Sequence, residues 1–263
     1  MKRIKYFSIG IVFSIGIIAL GCFFLSAAVD KSGIGEKTVF IQYFGDSTVF
    51  GADPEKLNSQ VSLTAPLAME QSLDQKYGPF IVVSNEGVSG TKTDHFLNGD
   101  QAVWKNIMRR STSNFVIVNW GMNDAWFDPG VSVDLYRSEL MDLFLAAKST
   151  GKTLVFETPN PISESNKPFG DSAKAARLQS LVDAMRSVAK ETGSPLIDQY
   201  QYVKTIDGWE DLIPDGVHPS PELYKLKGEY AATVMTPLID TELWKNRRLI
   251  DMSFVSKLMT EEY

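Results

Sequence analysis

Histidine occurs only twice in the chain, at His95 and His218, and cysteine only once, at Cys22. An imidazole base must be one of those two histidines, and neither a disulfide nor a cysteine-based metal site can form within the chain. His218 stands in Asp215-Gly216-Val217-His218-Pro219, three residues after a carboxylate. One tight loop can aim Asp215 at the imidazole, fix its tautomer and stabilise the imidazolium that forms in acyl transfer. Ser47, in Phe44-Gly45-Asp46-Ser47, offers the hydroxyl to be activated. A serine is unreactive at neutral pH until a neighbouring base takes its proton. His95 is the competing histidine. It lies near Gly90 but lacks the Asp-x-x-His arrangement, and it reads as a helix-surface residue.

The tetrahedral intermediate of acyl transfer also needs hydrogen-bond donors placed before the reaction begins. Gly90 can bring its backbone N–H close to a substrate because it has no side chain. Asn123, in Gly121-Met122-Asn123-Asp124, can offer its amide, and the backbone N–H of Ser47 would be the third donor. Each segment taken singly has a plainer reading. Gly-Asp-Ser and Gly90 are ordinary turns, Asn123 is a helix cap, and Asp215 to His218 is a solvated loop. Asp46 and Asp124 read as turn- and loop-ordering residues, since a metal site needs more converging ligands than the sequence displays. A phosphate loop of Walker type would need a lysine that Gly-Asp-Ser lacks. No metal is expected. Trp126, Phe127 and Trp209 flank the Asn123 and Asp215 segments. They can stack on sugar rings or touch an acyl chain, or they can serve as core.

These residues must be brought together by the elements around them. Six of the seven residues over 38–44 are β-branched or aromatic, which suits a strand covered on both faces and ending at Gly45. Ser47 would then sit past its carboxyl end, where open α/β sheets place their ligands. After a polar, Pro-containing loop, helical periodicity covers about 63–77 and 93–110, with a buried strand at 80–83 between them. Further strands are expected at 115–120, 153–156 and 196–197. Helices are expected over 133–148, over 171–192 between Asp171 and Gly193, and over 221–238. Strands alternating with helices argue for a doubly wound, mainly parallel sheet with helices on both faces.

Four blocks in this order, Gly45-Asp46-Ser47, the loop ending in Gly90, Gly121-Met122-Asn123-Asp124 and Asp215-x-x-His218, resemble the signature blocks of the GDSL, or SGNH, hydrolases. The resemblance covers nearly all of residues 38–240. It implies a flavodoxin-like three-layer α/β/α sandwich with strand order 2-1-3-4-5. It also implies ester hydrolysis through a serine acyl-enzyme, without metal or cofactor. The triad would be Ser47, His218 and Asp215, and the oxyanion hole Ser47, Gly90 and Asn123. Such enzymes act on acetylated sugars, acyl glycerols, lysophospholipids and thioesters, so the resemblance leaves the substrate open.

Residues 6–29 carry no charge and follow Lys2, Arg3 and Lys5. As a helix they would reach roughly 36 Å, enough to cross a bilayer, with the basic end in the cytoplasm. Residues 1–29 therefore read as a signal anchor or signal peptide, with an imperfect lipoprotein box at Cys22 as a third possibility. Residues 30–37 read as a linker, 38–240 as the hydrolase domain and 241–263 as a helical extension. Without the first 29 residues the formal charge moves from −6 to −9, a poor match for nucleic acid or an anionic surface. The expected enzyme is an exported serine esterase, membrane-anchored or, after cleavage, free, acting on O-acyl groups, O-acetyl among them, of envelope or extracellular glycans. A lysophospholipase, a general carboxylesterase, an O-acyltransferase on the same site and a catalytically silent glycan-binding domain are the alternatives.

Overall fold

The β-branched and aromatic run forms the central strand β1, Val39–Gly45, of the computed structural model. The structure describes residues 39–97, 104–127 and 130–260, with side chains up to residue 245 in the last helix. The expected N-terminal helix of 1–29 and the linker of 30–37 lie outside the described residues. Among the described residues no helix is long and apolar enough to cross a membrane.

A four-residue helix, α1 (Ser47–Phe50), follows β1 directly. The loop expected next contains a small antiparallel hairpin, β2 (Ala52–Asp53) and β3 (Lys56–Gln60). Its second strand is polar and does not alternate, so no period-2 signal marks it. Helix α2 (Ala65–Tyr77) is capped by Thr64, and strand β4 (Ile81–Gly87) runs four residues past the apolar stretch that announced it. The helix expected over 93–110 is shorter: residues 93–97 form turns, and α3 spans Trp104–Arg110. Then come β5 (Phe115–Asn119), α4 (Met122–Trp126), α5 (Val133–Lys148), β6 (Thr153–Glu157), α6 (Ser172–Thr192), β7 (Leu196–Ile197) and α7 (Gln199–Lys204). A 3-10 turn at Trp209–Leu212 precedes α8, Pro221–Thr260, which continues through Pro237 and on past residue 241.

The main sheet is parallel throughout, in the order β4-β1-β5-β6-β7. Counted along the chain, its five strands stand 2-1-3-4-5. Alternating residues of the strands feed two hydrophobic clusters on opposite faces. Val39, Ile41, Tyr43 and Ile117 pack with Met69 and Leu73 of α2 and Met235 and Ile239 of α8. Phe44, Val116, Val118 and Phe156 pack with Trp104, Leu140, Leu143, Leu178 and Met185 of α3, α5 and α6. Each such side chain contributes about 1.5–3 kcal/mol on burial. Coverage on both faces fails at one corner: Phe40 is 41% and Val82 40% exposed.

The strand ends set the geometry of the site. Gly45 pairs with Gly87 on one side and Asn119 on the other. A Cβ on Gly87 would lie 2.2 Å from the Phe50 nitrogen, so its absence lets α1 lie directly against β4.

Candidate active site

Ser47 begins α1, whose N-cap is Asp46. The Asp46 Oδ1 accepts hydrogen bonds from the Thr48 N–H at 2.8 Å and the Thr48 hydroxyl at 2.9 Å. This capping satisfies an otherwise orphaned helix donor and fixes the turn that presents Ser47. Burial raises the Asp46 pKa, opposed by the Thr48 hydrogen bonds and by the nearby His218 and Lys227.

The Ser47 Oγ stands 2.9 Å from His218 Nε2, across 171 positions of chain. His218 Nδ1 stands 2.7 Å from Asp215 Oδ2. The other Asp215 oxygen accepts from the Val217 and His218 backbone N–H groups at 2.8 and 2.7 Å. Asp215 is nearly fully buried, so its carboxylate is held by one loop on both oxygens. Such an arrangement can draw a proton from the serine onto Nε2 while the carboxylate steadies the charged ring.

Gly90 and Asn123 line the same pocket as Ser47 and His218. Asn123 lies at the head of α4, and its amide donates to the Thr91 carbonyl at 2.8 Å, tying its loop to the one that carries Gly90. Asp124 adds a second tie by accepting from the Thr93 N–H at 3.2 Å. Asp46 and Asp124 thus both order loops. Burial pushes the Asp124 pKa up to about 6 and, together with Asp124 itself, that of Glu139 on α5 up to about 7. Among the described residues no group of three His, Cys, Asp or Glu could hold a metal ion.

The pocket has a volume of about 240 Å³ and is walled by Ala52, Met122, Trp126, Phe127, Phe169 and Val217. Sequence reasoning missed Phe169. It stacks edge-on between Trp126, at 5.6 Å, and His218, at 6.0 Å between centroids. Nothing local marks it, because it arrives on the loop between β6 and α6. Trp126 is further covered by the Lys174 ammonium, 3.4 Å over its ring, whereas Phe127 is half exposed. Trp209 takes no part in this wall. It packs against Val203, Ile213 and Leu223, which form a satellite cluster under α7. His95 also lies away from the pocket lining, with its ring edge-on to Phe96 at 4.8 Å.

The sequence profile of the GDSL-like lipase/acylhydrolase family matches residues 43–226. The chain belongs to this family. The GDSL-like chain is accordingly an enzyme, a serine hydrolase of ester bonds. Solved structures share its fold. A lipase/acylhydrolase from Enterococcus faecalis is 21% identical, with 75% of this chain and 95% of that chain covered and a TM-score of 0.60. An acetyl-xylooligosaccharide esterase variant from Geobacillus stearothermophilus is 20% identical over 76% and 94%, with a TM-score of 0.58. A carbohydrate acetylesterase from Sinorhizobium meliloti is 16% identical over 76% and 100%, with a TM-score of 0.59. No curated protein matches the chain.

Proposed function

We propose that this GDSL-like hydrolase removes short O-acyl groups, acetyl foremost, from carbohydrate outside the cytoplasm. The observation that carries the reading is the Ser47–His218–Asp215 relay at 2.9 and 2.7 Å, opening on a small apolar pocket beside Gly90 and Asn123. Ser47 Oγ attacks the ester carbonyl while His218 Nε2 takes its proton. The oxyanion is met by the N–H groups of Ser47 and Gly90 and by the Asn123 amide. Collapse breaks the bond to the sugar oxygen, which takes the proton from His218 and leaves as the hydroxyl, and an acyl-Ser47 remains. Water, deprotonated by the same imidazole, then releases the acid and restores the serine.

Pocket size supports the short acyl group. A volume of 240 Å³ falls below the range of about 300–1,000 Å³ common for ligand pockets. The exposed Phe127 at the rim gives a sugar ring a face to lie on. Two of the solved structures that share this fold are named as esterases of acetylated carbohydrate. The uncharged residues 6–29 behind three basic ones support the location.

The test is turnover of p-nitrophenyl acetate, butyrate and octanoate, and of acetylated xylo-oligosaccharides, by the full chain and by Ser47→Ala. The expected result is acetate preferred over octanoate, acetate release from the oligosaccharide, and loss of at least about 10³-fold in kcat for the variant. Octanoate preferred over acetate would replace the glycan reading with a lipase or general carboxylesterase.

A further inference from the structure

Helix α8 carries a lysine where a charge is most costly. Lys227 is 1% exposed, and a buried ammonium persists only when it is paired or hydrogen-bonded. Its Nζ donates to Asn160 Oδ1 at 2.9 Å. Asn160 is itself fully buried, and its amide donates in the other direction, to the carbonyls of Val217 at 3.0 Å and Pro161 at 3.1 Å. Val217 is the residue before His218.

The two preceding carbonyls of that loop are held from the same segment. The Phe169 N–H donates to the Asp215 carbonyl at 2.8 Å and the Ser163 N–H to the Gly216 carbonyl at 3.0 Å. Three successive carbonyls, of residues 215, 216 and 217, thus accept from residues 169, 163 and 160 between β6 and α6. The fit is close: Gly216 has φ +96°, and a Cβ there would lie 2.3 Å from the Gly170 nitrogen. Behind Lys227, Gln199 donates to the Lys227 carbonyl at 2.9 Å and to Glu157 at 2.6 Å, and the Tyr43 hydroxyl also donates to Glu157. Asp46 and Glu157 are the carboxylates whose field opposes the cost of burying the ammonium. Asp46 caps the turn that carries Ser47. Through Asn160, Lys227 therefore stands behind the loop that carries the histidine.

We infer that Lys227 and Asn160 are positioning residues for the hydrolysis: the ammonium orients the Asn160 amide, and the amide sets the Val217–His218 peptide so that Nε2 meets Ser47. The inference rests on the Ser47–His218 reading above. Displacement of the imidazole by about 1 Å is enough to cost about 10²-fold in rate.

The experiment measures kcat, KM and melting temperature of the full chain with p-nitrophenyl acetate, active sites being counted with a p-nitrophenyl phosphonate. Asn160→Asp keeps an acceptor for Lys227 and removes the donor to Val217. Lys227→Met removes the charge at similar volume. The expected result for each folded variant is a fall of about 10–100-fold in kcat per site, with KM changed by less than about twofold. The double variant should be no worse than the poorer single one, because the two act as a unit. A lowered melting temperature with unchanged kcat per site would make the pair structural only and overturn the inference, as would losses that multiply. If Lys227→Met does not fold, Asn160→Asp decides alone through its kcat. Ser47→Ala separates the two readings. An inactive Ser47→Ala beside a fully active Asn160→Asp removes only this inference, whereas an active Ser47→Ala removes both.

Discussion

Asp124 shows how one side chain can order a loop and still cost stability. Its carboxylate accepts the Thr93 N–H and so helps place Gly90, yet burial lifts its pKa from 3.8 to about 6. The unfolded chain releases this proton near pH 4 and the folded chain near pH 6, so the folded state holds more protons between those values. Stability must then fall as pH rises through that window, by roughly 3 kcal/mol from this group alone. Glu139, raised to about 7 by burial and in part by Asp124, extends the decline in wild type and does so less in the variant. Asp124→Asn keeps an acceptor for Thr93 and loses the titration. Urea unfolding at pH 4, 5, 6 and 7 should show the variant gaining on wild type by that amount across the series. A constant difference from pH 4 to 7 would mean that the buried carboxylate is ionised throughout.

Elements place Ser47 through contact rather than through any long reach of chain. The turn of α1 lies against β4 because Gly87 leaves room for it. An added Cβ would meet three backbone atoms, Phe50 N at 2.2 Å, Phe50 Cα at 2.7 Å and Val49 C at 2.8 Å, none of which can rotate away. Gly87→Ala is therefore expected to destabilise by ~1–3 kcal/mol and to lower kcat about 10–100-fold as Ser47 shifts against His218. Thermal melts and steady-state kinetics check both. No local signal marked this glycine, because its close approach to α1 joins Val49 and Phe50 to Gly87. The hairpin β2–β3 and the turns over 93–97 escaped for a related reason. Their stability comes from neighbours, and their own residues show no clean period.

At the scale of the unit from residue 39 onward, α8 packs on α2 and, through Met235 and Ile239, on the sheet. Gly228 marks a close approach: a Cβ there would lie 2.4 Å from the Ala65 carbonyl oxygen, 2.5 Å from Ala68 Cβ and 2.7 Å from the Met69 nitrogen. Gly228→Ala should force the helices apart and cost ~1–3 kcal/mol. For a domain of this size that is a fall of roughly 2–4 °C in melting temperature for each kcal/mol. An unchanged Tm would place α8 farther from α2 than described. The exposed Lys76–Asp240 pair at 2.8 Å lies on the same two helices, and pairs of that kind add little. The glycine, not the ion pair, sets this interface.

Residue order alone determined the five strands and their helical crossovers, and it singled out Ser47, His218 and Asp215 as the proposed triad. Hydrophobic period is a local property, and Asp-x-x-His fits within one turn. Two histidines in 263 residues left little choice of base. Tertiary structure decided the 2.9 Å meeting of Ser47 and His218, the Phe169 wall and the place of Trp209 in a satellite core. It also decided the burial of Lys227 against Asn160, 67 positions away. Those relations depend on how loops from different strand ends close on one another. No short window of sequence records that closure.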